Sequence, residues 1–285
     1  MGENIADNRR RVFEASGVTV EIADEKVDVV EKWLRKQTHL PEIPSKHMIE
    51  IFLVLNKFNI EVTQRKLEMY YKIRTQIPDL YQNKHPASPH MQKIADVVYC
   101  IALPKLSPEL YLINVFKLKD TNTKNFDAHD YAAYSLNSAE LKLLDEKLAV
   151  GEVFIYDLEG VSFGHFFKTM TVLKKLSRVV EEVFSSRVKG IHYINCPRFI
   201  DALVSVVRAV MNPKVANRIH IHKSYDTLSE YIPKELLPRD YGGDEKSLDE
   251  LNEMLKTEFL ENKERFDKLD QMVMKDIKEV VKDNQ

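Results

Sequence analysis

Residues 160–164 read Gly-Val-Ser-Phe-Gly, after the apolar run Val153-Phe154-Ile155-Tyr156 and before a helical pattern. Gly-x-Ser-x-Gly between strand and helix is the spacing of a hydrolase nucleophile elbow, where a strained turn lifts a serine hydroxyl above the sheet. Such a serine needs an oxyanion hole, and an acid and then a histidine later in the chain. Because His222 is the last histidine and precedes Asp226, the available order is Ser162, Asp201, His222. Asp201 falls inside a helical pattern, no HGGG-like segment lies upstream, and the whole chain has eight glycines. Asp157 and Glu159 would also repel a developing oxyanion. These residues favour a strand-to-helix turn with a capping serine, and leave a serine esterase using Ser162 as the enzymatic alternative.

Histidines suggest a second chemistry. His220 and His222, spaced i, i+2, share one face of an expected strand, and His192 on another strand could be a third metal ligand. No carboxylate or cysteine stands at a convincing ligand spacing beside them, so the expectation is a hydrogen-bonded polar layer and no metal. No GxxxxGK[ST], GxGxxG or CxxC pair is present, so the minimal chemistry of nucleotide and zinc modules is missing.

The elements that must position these residues fall into two styles. The first third is helical. Asp24 can cap a helix with Val27, Val30, Trp33 and Leu34 on one face; a second helix starts near Ser45, and a third follows Asn59 with Arg65 facing outward. Pro78, Pro86 and Pro89 then mark a linker. From Val97 onward, short apolar runs at 111–116, 153–156, 190–195 and 218–222 alternate with long helical patterns, the clearest from Thr171 to Ser186. That alternation predicts an α/β domain on a mainly parallel sheet with right-handed crossovers. Ser247-Leu-Asp-Glu250 has capping-box spacing and should open a charged helix reaching nearly to Gln285. The expected division is a helical domain at 1–92, a ligand-binding α/β domain at 93–245 and a C-terminal helix at 246–285.

Composition narrows the function classes. Lys plus Arg number 42 against 44 Asp plus Glu, so bulk charge does not point to nucleic acid. Cys100 and Cys196 are expected as reduced core thiols of a cytosolic protein. No signal peptide or membrane span is expected, the longest apolar stretches falling short of ~20 residues.

Four segments in order, YDLEG (156–160), RVKGIHYINCP (187–197), NPKVANRIHIH (212–222) and LLPRDYGG (236–243), resemble the CRAL-TRIO (Sec14-like) lipid-transfer family, including its tocopherol-transfer, retinaldehyde-binding and insect members. The stretch KFNIEVTQRKLEMYYKIR (57–74) is similar to the small helical domain that precedes the lipid domain. The resemblance covers roughly residues 20–260. It implies an N-terminal helical domain and then a domain with a mainly parallel sheet floor and helices enclosing an apolar cavity. It implies one carried hydrophobic molecule (retinoid, tocopherol, carotenoid or similar lipid), no catalysis, no cofactor, and a cytoplasmic protein transiently peripheral to membranes. A phosphoinositide-binding scaffold with a vestigial cavity is the further alternative. On matching positions the ligand wall would come from Phe116, Tyr156, Phe163, Phe167, Leu176, Val179 and Val180. Tyr134 and Ser138 would offer hydroxyls, Tyr134 standing where the family has serine.

The same resemblance makes the segment after Cys196-Pro197 a mobile lid, carried by Phe199, Leu203, Val206, Val207 and Val210 together with Ile200, Val204 and Met211. Only Asp201, Ser205 and Arg208 form a polar stripe, so its apolar face exceeds the ~100° of an ordinary surface helix. Exposing five such side chains to water would cost roughly 7–15 kcal/mol, at about 1.5–3 each, and acyl chains would remove most of that cost. A wholly buried helix is the alternative. Arg65, Arg187, Lys189, Lys214 and Arg218 match positions that bind phosphoinositide head groups, whereas Ile51, Val54 and Asn56 stand where arginines are common. Each basic residue near an anionic leaflet is worth about 1 kcal/mol, enough to bias docking without making it permanent.

Overall fold

The computed structural model describes residues 4–184 and 187–272. Five helices come first: α1 (Ile5–Ala15), α2 (Val20–Leu34), α3 (Lys46–Leu55), α4 (Ile60–Gln76) and α5 (Pro89–Ala95). Small polar side chains start four of them. Asn4, Thr19, Ser45 and Asn59 accept the amides of Ala6, Ile22, Met48 and Val62, satisfying donors that a helix leaves unpaired at its first turn. Helix α2 therefore starts at Thr19 rather than Asp24, whose carboxylate instead pairs with Arg9. Pro89 occupies the first turn of α5, where its missing N–H costs nothing. The division expected between residues 92 and 93 falls inside that helix.

The sheet contains β1 (Val98–Ala102), β2 (Tyr111–Leu118), β3 (Gly151–Asp157), β4 (Val188–Ile194) and β5 (Ile219–Ile221), in spatial order 1-2-3-4-5. β1 and β2 are antiparallel, and β2 to β5 are parallel. Parallel neighbours need long crossovers. These contain α6 (Ala128–Lys142), α7 (Phe163–Val179), α8 (Ile200–Val210) and α9 (Pro213–Ala216). With strands added one after another in the same direction, right-handed crossovers place α6, α7 and α8 on one face of the sheet. The other face is covered by α10 (Tyr225–Ser229), Ile232, Leu236, Leu237, Tyr241 and α11 (Leu248–Glu261), packed on Ile113, Val115, Val153 and Ile155.

A capping box at Ser247 and Glu250 opens α11. The helix breaks at Asn262 and helical chain resumes over 263–272; the rest of the long C-terminal helix expected from sequence lies outside the described residues. Helices α1–α5 do not have a core of their own. Phe13, Phe52, Leu67 and Tyr70 belong to one cluster with Ala132, Leu141, Val172, Phe259 and Phe266.

A buried charge cluster fastens that shared core. Glu140 of α6 accepts from Tyr70 Oη at 2.5 Å, Arg74 at 3.0 Å and Arg265 at 3.1 Å. Arg265 also donates to Glu42 at 2.6 Å. The Arg74 guanidinium lies 4.2 Å from the centroid of the Tyr70 ring. Nearby, Asn8 of α1 exchanges two hydrogen bonds with the backbone of Leu148, at 3.2 and 2.8 Å. Neutralising Glu140 as Glu140→Gln keeps its shape but removes the carboxylate facing Arg74 and leaves Arg265 to Glu42, and should cost about 3 kcal/mol. Urea unfolding reads this directly; a midpoint within error of wild type would show that the cluster does not hold the helices together.

Candidate ligand cavity

Between the sheet and its three covering helices the side chains leave a hollow in two adjoining lobes. One, of about 160 Å³, is lined by Leu112, Phe116, Phe154 and Tyr156 from the sheet, Tyr131, Ser135 and Ala139 from α6, and Leu176, Val180 and Phe184 beyond. Ile51 and Leu55 of α3 close its outer wall. The second, of about 180 Å³, runs under Phe166, Met170 and Leu173 of α7 to Leu203, Val207 and Met211. Phe116, Tyr131, Tyr156 and Leu176 border both lobes. Each lobe is smaller than the ~300–1,000 Å³ of a typical small-molecule site, so a lipid-sized occupant needs both.

Strand alternation builds the floor. Phe116, Tyr156 and Tyr193 are register partners across β2, β3 and β4, and their rings stack at 5.1 and 5.4 Å between centroids. Burial holds both tyrosine hydroxyls protonated by pushing their pKa values well up. Period-two geometry then places Phe154 and Glu152 on the same face of β3.

The turn at 160–164 enters this wall as a corner. Gly160 has φ +72°, and a Cβ on it would lie 2.2 Å from the Thr121 methyl. Ser162 is the N-cap of α7 and forms a capping box with His165, whose Nδ1 lies 3.2 Å from the Ser162 amide and 3.0 Å from its Oγ. His222 is on the opposite face of the sheet and Asp201 is exposed on α8, so Ser162, Asp201 and His222 do not come together.

Phe116, Tyr156, Leu176 and Val180 line the hollow. The other expected wall residues point elsewhere. Tyr134 packs on Phe259 at 5.5 Å, and Ser138 donates to the Cys100 carbonyl at 3.0 Å. Helix α6 is buried on several sides, and the cavity takes Tyr131 and Ser135, each three residues earlier and about 60° round the wheel, with Ala139 one turn beyond Ser135. Val179 lies in the main core. Phe163 and Phe167 face outward, 53% and 65% exposed, because α7 turns Phe166, Met170 and Leu173 inward instead. Alternation from Tyr156 would have found Phe154. Nothing in the stripe of α6 distinguishes Tyr131 and Ser135 from Tyr134 and Ser138.

Helix α8 roofs the second lobe. Leu203, Val204 and Val207 are buried, Val206 is half-buried, and Val210 is exposed. The buried face joins a small separate cluster with Leu158, Val188, Ile191 and Tyr193. Phe199, at the helix start, stacks on Phe163 at 4.2 Å. Among the described residues no side-chain hydrogen bond or ion pair ties α8 to the rest of the protein; its exposed stripe is Asp201, Ser205 and Arg208. Past its end, Lys214 on α9 and Arg218 are exposed, with Arg218 donating to the Val188 carbonyl where β4 begins. Arg187 and Lys189 flank that same point, Lys189 Nζ lying 4.8 Å from the Tyr111 ring centroid. Arg65 is exposed on α4, which packs against the π-helical turn Val180–Phe184 just upstream.

The fold is a five-stranded sheet with a two-lobed hollow between it and its covering helices. The chain belongs to the CRAL/TRIO family: the profile of the CRAL/TRIO domain matches residues 98–243. That of the "Pinta-like, UBA domain" matches residues 19–91. Mouse alpha-tocopherol transfer protein-like is 25% identical over 70% of this chain and 58% of its own length. Human clavesin-2 is 27% identical over 67% of this chain and 60% of its own. The chain thus spans about three fifths of the length of these relatives. The solved structure of Sfh5 shares the fold, with a TM-score of 0.52 at 13% identity over 76% of this chain and 78% of that one. No helix among the described residues is long and apolar enough to cross a membrane.

His192, His220 and His222 meet on the back of the sheet beside Tyr231. Their rings stack, with centroids 5.0 and 5.1 Å apart, instead of converging, and no metal-holding group occurs among the described residues. Thr227 gives its hydroxyl proton to the Ser224 carbonyl, so it accepts from His222 Nδ1 at 3.0 Å. His222 Nε2 then accepts from His192 Nδ1 at 2.8 Å. Burial first, and then the neighbouring imidazoles, push the His192 pKa down to about 3. A neutral folded His192 makes its full contribution above the unfolded value of about 6.5, and loses it as pH falls toward 3 because the unfolded chain takes up the proton. Stability should therefore drop between about pH 6.5 and 4 by up to ~1.4 kcal/mol per unit from this group. Denaturant melts of His192→Gln should show a flatter acid limb, and an unchanged limb would remove His192 as its source.

Proposed function

We propose that the chain binds one hydrophobic molecule in the two-lobed hollow and exchanges it at membranes, without making or breaking bonds. Retinoids, tocopherols, carotenoids and similar lipids are the candidate class. The observation that carries this reading is the apolar second lobe roofed by α8, which rests on a small cluster of its own with no polar tether among the described residues. Lifting α8 exposes Leu203, Val204 and Val207, at about 1.5–3 kcal/mol each in water, and acyl chains compensate most of that. The main core is untouched by such a movement. A relative named alpha-tocopherol transfer protein-like supports the class of cargo, and the capping role of Ser162 supports a carrier without catalysis.

Membrane contact is assigned to the face beside the roof. Phe163 and Phe167 are largely exposed, and with Phe199 they form an aromatic patch continuous with the start of α8. Lys214, Arg218, Arg187 and Lys189 lie around the other end of α8, with Arg65 upstream, placing cationic groups where an anionic or phosphoinositide-bearing leaflet would sit.

Three measurements test this. Native mass spectrometry of the purified chain should find one co-purifying lipid, and an empty protein that also fails to extract lipid from vesicles would end the carrier reading. Replacing Phe163 and Phe167 by alanine should slow vesicle-to-vesicle transfer by about tenfold or more while leaving the melting temperature nearly unchanged, since exposed rings contribute little to the fold. Wild-type transfer rates would move the membrane contact elsewhere. Reversing both Lys214 and Arg218 to glutamate should weaken binding to phosphoinositide liposomes by about tenfold or more; equal binding would retire the basic patch.

A further inference from the structure

The capping box at the start of α7 fixes more than a helix end. The Ser162 amide lies 3.2 Å from His165 Nδ1, and an amide can only donate, so Nδ1 is an acceptor. The Ser162 hydroxyl, 3.0 Å from the same nitrogen, fits as a second donor. Burial, and then the charge of Lys168, lower the His165 pKa, so the ring is neutral and its one N–H is on Nε2. His165 is 2% exposed, and Nε2 has no hydrogen-bond partner among the described residues. The ring meets Phe126 edge to face at 5.3 Å, and a ring face is a far weaker acceptor than a carbonyl oxygen. Leaving a buried N–H without an oxygen costs about 1–3 kcal/mol.

His165 lines the second lobe. The charged groups in that wall are committed to one another. Asp157 accepts from Lys117 and Asn195 at 2.8 Å each and from Tyr241 at 3.2 Å, and Lys117 also reaches Glu159. The Thr169 hydroxyl donates to the His165 carbonyl at 2.9 Å. Burial keeps Tyr131, Tyr156 and Tyr193 protonated. Among the described residues the lobe thus presents protons in an apolar wall and no uncommitted carboxylate.

We propose that the Nε2–H of His165 is the donor that holds the carbonyl oxygen of a neutral lipid (a ketone, aldehyde or ester) in the second lobe. The assignment rests on the carrier reading above and specifies its cargo. A carbonyl oxygen accepts without having to donate, so it satisfies the imidazole and leaves nothing of its own unpaired. A pure hydrocarbon would fill the lobe and leave the N–H without an acceptor. Ser162 is then a positioning residue: by donating to Nδ1 it helps fix which ring nitrogen carries the proton.

The test uses the full chain and laurdan, a fluorescent dodecanoyl ketone whose emission moves to the red when its carbonyl accepts a hydrogen bond. Bound to wild type, laurdan should emit well to the red of its position in alkane. His165→Gln keeps a side-chain acceptor for the Ser162 amide, as in an ordinary capping box, and removes the Nε2–H. It should move the bound emission to the blue and weaken binding by about three- to tenfold, with little change in melting temperature. Ser162→Ala removes the hydroxyl but leaves the amide on Nδ1, so emission and affinity should stay near wild type. A loss there as large as in His165→Gln would make the cap, and not the N–H, the determinant, and would overturn the assignment. Alkane-like emission in wild type, or a His165→Gln protein indistinguishable from it, would overturn the assignment and leave the carrier reading intact. So would a chain that extracts lipid from vesicles but does not bind laurdan. A chain that does neither overturns both.

Discussion

A hollow inside a protein is unstable against collapse, because the apolar side chains around it gain by closing up. Here its perimeter is pinned. Glu140, Arg74, Arg265 and Glu42 lock α4, α6 and the helical stretch 263–272 together, and Asn8 fixes α1 to the segment entering β3. Helix α6 is thereby anchored through its outer face while its inner face stands over the sheet. Satisfied charges with several hydrogen bonds suit this task, since they hold one geometry and resist the sliding that purely apolar contacts allow.

Helix α8 has the opposite character. Among the described residues it carries no such fastening, its buried residues form a small cluster, and its polar stripe faces water. The same covering layer therefore contains one helix held by a buried ionic network and one held by apolar contact alone. In the proposed exchange the opening takes the second route, since separating α8 costs burial that a lipid phase restores, whereas separating α6 would strand buried charge. The outward aromatics of α7 and the basic residues past α8 lie on either side of that weak point.

Local patterning made much of the fold legible. Short apolar runs marked β2 to β5, caps at Ser45, Asn59 and Ser247 marked helix starts, and Ser162 was recognisable as a turn residue because its neighbours lacked the rest of a hydrolase site. β1 went unmarked as a separate strand, lying as an antiparallel edge directly after α5. The floor residues Phe116 and Tyr156 were readable, since a strand has only two faces and one must look toward the covering helices.

What the sequence determined by itself was the set of elements, their order and the apolar excess of α8, all of which depend on neighbours within a few residues. Tertiary structure decided which side of each buried helix meets the hollow. In α6 Tyr131 and Ser135 look inward while Tyr134 and Ser138 serve the seams with α11 and β1; in α7 Phe166 looks inward while Phe163 and Phe167 look out. A helix packed on several sides has no single apolar stripe, so a rotation of about 60° leaves its sequence pattern equally satisfied. Only the partners it packs against, brought from distant parts of the chain, select one rotation.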